Sequence, residues 1–261
     1  MEEKRYLKWY NKVGYGSGDV AGNVVYAFLS TFVMLYLTNT VGLNPGIVGT
    51  LIAVLLYFYQ DWIEMIKAGF KNGLKTKDGK MFWYLILATI PAGVVGLLLE
   101  HKIEEIFRGD MLVIAAGLAI MGVVLYLVDK ICLQKLTLQK LTLAQAVIIG
   151  CCQTLALIPG VSRSGITMTT ARALGFTREA AAKFSFFLAT PIIAGAAVKH
   201  FSDIITHLFN PLFWVGTLVS AVVGLFCIGF LLKYLQKNNF AIFALYRIAL
   251  SIVIVIVYYY R

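Results

Sequence analysis

The chain has 261 residues, 60% of them hydrophobic and only 14% charged, with a formal net charge of +10. That apolar share excludes an ordinary soluble domain and indicates a polytopic membrane protein. The cations fall in short stretches between apolar runs, so membrane topology accounts for them and nucleic acid is not expected as a partner.

Residues 1–12 form a charged lead in which Lys4, Arg5, Lys8 and Lys12 outnumber Glu2 and Glu3, and a long apolar run follows, so no cleaved signal peptide is expected. Residues 14–42 are Gly-rich and then apolar, long enough to span. Residues 46–62 read as a second span ending at Asp61. Lys67, Lys71, Lys75, Lys77 and Lys80 follow in a turn-rich stretch, the most basic in the chain, which the positive-inside rule places inside. Residues 81–100 return outward with a kink at Pro91. His101 to Asp110 read as a short outside loop, and residues 111–129 lead back to an inside loop with Lys130, Lys135 and Lys140. Spans over 184–200, 212–232 and 240–260 complete the chain. The cysteines Cys132, Cys151, Cys152 and Cys227 lie in or beside apolar segments; Cys151 and Cys152 are adjacent, without metal-ligand spacing, and read as packing residues.

Charge counting decides the topology of residues 143–175. A single crossing would put Arg178, Lys183, Lys233 and Lys237 outside. Entry and exit on one side keep all four inside. The segment has the shape for this: an apolar arm over 143–158, then Pro-Gly, then a shorter arm over 165–175, each too short for a bilayer that needs about 20 helical residues. Broken helices at membrane depth are tolerated where they line a protein-enclosed or wet cavity. The expected fold is therefore all-α and polytopic, with about seven spans plus one re-entrant helix-loop-helix hairpin (143–175).

The hairpin carries Pro159-Gly160-Val161-Ser162-Arg163-Ser164-Gly165-Ile166-Thr167 at its tip, near mid-membrane or toward the outer side. A cation there is costly unless it meets water, a partner or an anionic ligand. Glycines on both sides expose backbone N–H groups, and a helix starting near Thr167 would point its N-terminal amides at the turn. Arginine, hydroxyls and amides converging on one point describe a phosphate site. The plainer alternative is an arginine anchored at the headgroups.

Two resemblances follow. Gly14-Tyr15-Gly16-Ser17-Gly18-Asp19-Val20-Ala21-Gly22-Asn23, continuing into Tyr36 to Leu43 and Val48 to Leu51, resembles the first transmembrane helix of the glycoside–pentoside–hexuronide cation symporters, where an aspartate at the place of Asp19 lines the sugar site. That family's acidic second helix does not follow, so a structural or solvated Asp19 fits better. The run from Gly150 through Gln153 and Pro159 to Thr167, with Glu179, Phe184-Ser185-Phe186, Pro191 and Phe240 to Arg247, closely resembles the undecaprenyl-diphosphatase family. The chain so divides into a symporter-like segment, 1–51, and an undecaprenyl-diphosphatase-like membrane domain, 52–261.

The second resemblance implies six spans and two re-entrant hairpins in an inverted repeat. It implies removal of one phosphate from undecaprenyl diphosphate at the outer face of the bacterial inner membrane, which recycles the peptidoglycan carrier lipid and gives bacitracin resistance. Arg163 would hold the diphosphate; Ser162, Ser164 and Thr167 would bond its oxygens or orient neighbours. Pro159, Gly160 and Gly165 would shape the turn, and Gln153 would lie on the arm behind. A divalent cation, magnesium or calcium, is expected on the same ground, held by a first signature of two glutamates and a Pro-x-Ser-Ser-Thr-Gly-His run. This chain has no such run. Gln60 with Glu64, and Glu100 with Glu104, share the glutamate spacing but sit where spans meet loops and read as interface residues. His101, His200 and His207 read as solvated. No metal ligands, nucleophile base or confirmed partner copy can be named, although a homodimer could bring in a missing half-site. Three readings stay open: the phosphatase, a relative that binds the lipid diphosphate without turnover, and a transporter.

Overall fold

The computed structural model describes residues 45–107, 110–199 and 210–260. The expected span 14–42 with Asp19, and His200 and His207, lie outside the described residues, as do the side chains of Glu100, His101 and Glu104. Among the described residues there are nine α-helices: α1 (Pro45–Tyr57), α2 (Tyr59–Asn72), α3 (Lys77–Phe107), α4 (Met111–Ile131), α5 (Leu143–Gln153), α6 (Arg163–Ala173), α7 (Arg178–Lys199), α8 (Pro211–Lys237) and α9 (Ala241–Tyr260). The stretches Lys77–Leu99, Met111–Ile131, Phe213–Lys237 and Ala241–Tyr260 are long and apolar enough to cross a membrane. Their outward faces carry exposed Leu97, Ile120, Phe226 and Phe230, as expected where the solvent is hydrocarbon. This is the all-α polytopic architecture that the composition indicates.

Local sequence explains the boundaries. Asp110 caps α4 by accepting from the Leu112 and Val113 N–H groups at 2.9 and 3.2 Å. Thr142 and Gln145 form a reciprocal capping box at the start of α5. Pro91 and Pro191 lie inside α3 and α7, which continue through them.

Three boundaries differ from expectation. The span read over 46–62 bends at Phe58 (φ −108°, ψ 27°), which separates α1 from α2. Phe58 is buried with its ring 5.0 Å from that of Phe187 on α7, so an aromatic contact sets the bend. The lysine-rich stretch after Asp61 is helical to Asn72, not a loop. Its apolar face explains this: Met65 and Gly69 are buried, and Trp83 on α3 donates to the Gly69 carbonyl at 3.2 Å. The outside loop expected from His101 is helical to Phe107, so only a short connection precedes Asp110.

The hairpin forms as expected. Its first arm is α5 with the 3-10 turn Thr154–Leu157, its second is α6. Both feet are at one end. The Lys135 and Leu136 N–H groups donate to the Gly175 carbonyl at 3.1 and 3.0 Å, and the Thr177 N–H donates to the Leu136 carbonyl at 2.9 Å. Asp129, near the end of α4, accepts from Arg172 and Arg178 at 2.9 Å and from the Phe240 N–H at 3.1 Å. Lys183 pairs with Asp61 at 2.7 Å at the same end. The cations that charge counting assigned to one side are therefore gathered at one end of the bundle, called the basic end below.

Candidate functional site

The tip of the hairpin is pressed against the first half of α4. A Cβ on Gly117 would lie 2.7 Å from the Pro159 carbonyl oxygen, and one on Gly160 would overlap the Ile114 carbonyl. Gly160 also has φ +88°, so glycine is needed both for its conformation and for the approach. The first arm lies equally close to α3, where a Cβ on Gly150 would overlap the Ala88 backbone. Gly117 is fourteen residues before the end of α4, which at 1.5 Å per residue sets the tip about 21 Å from the basic end.

The second arm starts earlier than expected, at Arg163 rather than near Thr167, with Ser162 as its N-cap. Ser162 Oγ accepts from the Gly165 N–H at 3.3 Å. Ser162 has φ +69°, unusual for a residue with a side chain, so backbone strain is held at this point. The α6 N-terminal turn, with its free amides and partial positive charge, therefore opens at the motif itself.

Arg163 and Ser164 line a cavity of about 480 Å³. Its other walls are mostly apolar: Ala53 and Val54 of α1, Phe186 and Ile193 of α7, Ile228 and Leu231 of α8, with Thr50 and Ser185 as polar points. The Arg163 guanidinium makes no hydrogen bond or ion pair within the described residues. Thr167 stands behind the cavity: its Oγ1 donates to the Arg163 or Ser164 carbonyl at 3.0 or 3.2 Å and lies 2.7 Å from Ser185 Oγ. Thr167 thereby fixes the first turn of α6 to α7.

The other motif residues fall elsewhere. Ser162 is exposed but does not line the cavity; its Oγ is 3.5 Å from Ser164 Oγ. Pro159 and Gly160 face α4. Gly165 faces Arg247, whose Nη1 would be 2.6 Å from a Cβ there. Gln153 is buried on the first arm, with neither amide atom hydrogen-bonded, and does not line the cavity.

Sequence reasoning gave no role to Ser185 or Arg247. Arg247 on α9 is buried and donates through Nη2 to the Gly160 and Val161 carbonyls at 2.8 and 2.7 Å, bracing the turn before Ser162. The signal was available: it is a lone cation within an apolar span, the same anomaly that singles out Arg163. The cysteines are free; of the pair read as packing residues Cys151 is exposed, and exposed Cys227 lines the cavity.

Acid groups are scarce. Among the described residues no Asp or Glu lines the cavity, and no three of His, Cys, Asp and Glu gather where they could hold a metal ion. The described residues thus do not fit the expected divalent cation. Gln60 and Glu64 are exposed on α2, on the side of the kink that carries the basic end.

Comparison with known proteins agrees with the motif. The profile of the family "Bacitracin resistance protein BacA" matches residues 45–253. An undecaprenyl-diphosphatase of Elusimicrobium minutum is 50% identical over 207 residues, 79% of each chain. Those of Desulforudis audaxviator and Moorella thermoacetica are each 44% identical, covering 82% of this chain and 84% and 81% of their own. With a hairpin tip of this composition set in that span of similarity, the chain belongs to the bacitracin resistance protein BacA family.

Proposed function

We propose that the chain removes the terminal phosphate of undecaprenyl diphosphate, recycling the peptidoglycan carrier lipid and giving bacitracin resistance. It would do so in the bacterial inner membrane, with its site toward the outer side. The observation that carries this reading is Arg163, a cation without a partner among the described residues, on an apolar-walled cavity. The geometry suits an amphipathic substrate. Arg163 and the α6 amides take the phosphate oxygens, while the walls from α1, α7 and α8 take the first isoprenoid units.

In the hydrolysis, water oxygen bonds to the terminal phosphorus and the bond to the bridging oxygen breaks, leaving its electron pair on the lipid phosphate. Arg163 offsets the charge that builds on the transferred group. Ser164, which lines the same cavity, would bond a phosphate oxygen. Among the described residues neither Ser162 nor Ser164 has a carboxylate or imidazole as a hydrogen-bond partner, so neither is assigned as a nucleophile.

The test is phosphate release from undecaprenyl diphosphate by purified, detergent-solubilised protein, with and without magnesium or calcium, beside Arg163→Ala. Release that depends on Arg163 is expected; release unchanged by the substitution would refute the assignment. The lack of Asp and Glu among the described residues of the cavity favours one second reading, binding without turnover. Arg163-dependent lipid binding by folded protein that releases no phosphate would establish it instead.

A further inference from the structure

A second polar cavity, of about 340 Å³, lies at the basic end. Tyr126, Asp129, Lys130, Gln134, Arg178 and Asn239 line it. Asp129 is twelve residues along α4 from Gly117, about 18 Å from the hairpin tip, so this cavity is separate from the site above. Its carboxylate is already engaged. Asp129 Oδ1 accepts from the Nε of Arg172 and of Arg178, both at 2.9 Å. Its Oδ2 accepts from Arg178 Nε at 3.0 Å and from the Phe240 N–H at 3.1 Å.

The donors are not engaged. Arg178 uses only Nε, which leaves Nη1 and Nη2 without a partner among the described residues. Lys130 Nζ makes no ion pair there; it sits 5.8 Å from the centre of the Tyr126 ring. Gln134 makes no hydrogen bond among those residues, and Asn239 uses only its oxygen, accepting from the Ala241 N–H at the start of α9. Arg172, Arg178 and Lys130 stand against one carboxylate, and the amino end of a 20-residue helix opens nearby. Spare donors, a saturated carboxylate and excess positive charge describe a receptor for an oxyanion.

A surface beside the cavity indicates the carrier of that anion. Leu127, Val123 and Ile120 continue from it along one face of α4 and are 46%, 45% and 61% exposed. Their spacing makes a strip running away from the basic end, the direction that acyl chains take below a headgroup. Tyr126 is exposed five residues before the end of α4, and aromatic side chains near span ends are enriched at the polar boundary of a bilayer.

We infer that this cavity binds the phosphate of an anionic phospholipid from the leaflet at the basic end, with the acyl chains along α4. Basic pockets between spans are known receptors for such headgroups, each cation contributing about 1 kcal/mol, or roughly fivefold in affinity.

The experiment is native mass spectrometry of the purified full chain offered phosphatidylglycerol and phosphatidylcholine at equal concentration. The unaltered protein should retain phosphatidylglycerol preferentially. Lys130→Glu, at an exposed position that leaves the Asp129 cluster intact, should reduce that preference about fivefold or more. Lys75→Glu, in the turn between α2 and α3, should keep it. Equal retention of the two lipids, or an equal loss in both variants, would overturn the inference. Competition by millimolar inorganic phosphate separates the sources. Failure to displace the lipid supports the phospholipid; full displacement overturns it in favour of the free anion.

Discussion

Arg163 and Arg172 are the first and the penultimate residues of α6, and the chain uses them in opposite ways. Arg172 has no exposed surface and its donors are all committed: to Asp129, to the carbonyls of Asp129, Cys132 and Leu133, and to that of Phe176. Arg163 faces a cavity, and its guanidinium makes no hydrogen bond or ion pair among the described residues. Five donors in a rigid fork can either join segments or wait for a ligand. The saturated arginine fixes the feet of the hairpin, and the unsaturated one is what the fixed hairpin presents.

Substitutions can break or sharpen this contrast. Arg172→Ala should be the most damaging. It leaves four carbonyls without a donor and Asp129 short of a partner, a loss of about 3–5 kcal/mol for breaking a buried pair. Melting temperature and folded yield in detergent should both drop. Arg163→Ala should leave melting close to that of the unaltered protein while phosphate release falls about 10²–10³-fold, the effect of losing one donor to developing charge. Equal melting losses in the two variants would erase the distinction. Thr167→Val removes the 2.7 Å contact with Ser185. It should cost about 1 kcal/mol of stability and lower release several-fold by loosening the turn that aims Arg163, as differential scanning and the release assay would show. The smallest effect is on labelling: bound lipid diphosphate should slow maleimide modification of Cys227, which lines the cavity, and leave Cys151 unaffected.

The hairpin was legible because its determinants are local or additive. Two short arms, Pro-Gly between them and four cations that must share a side are visible in one pass along the chain. The structure supplies the hydrogen bonds between 135–136 and 175–177 that this reading requires. The Asp129 cluster was not legible. Its members are separated by 43, 49 and 111 residues, and nothing local marks a carboxylate at a span end as the partner of two arginines so far along. The helix α2 was overlooked for a different reason: its lysines suggested a loop, although Trp62, Met65 and Gly69 already carried helical spacing. Arg247 was visible as an anomaly, but only the fold shows that it braces the Gly160 and Val161 carbonyls.

The hairpin's joined feet have a consequence for the membrane itself. Its arms, Leu143–Leu157 and Arg163–Ala173, are rigid helical struts of about 22 and 16 Å, clamped at the base and wedged at the tip against α4. The height of Arg163 is therefore counted in residues from one surface of the bilayer and does not follow the other. In a thicker bilayer the far headgroups rise while the arginine stays. On the proposed function, a lipid diphosphate arriving from that surface would then have to sink further into hydrocarbon to be held, which would make bilayer thickness a determinant of how readily the site is reached.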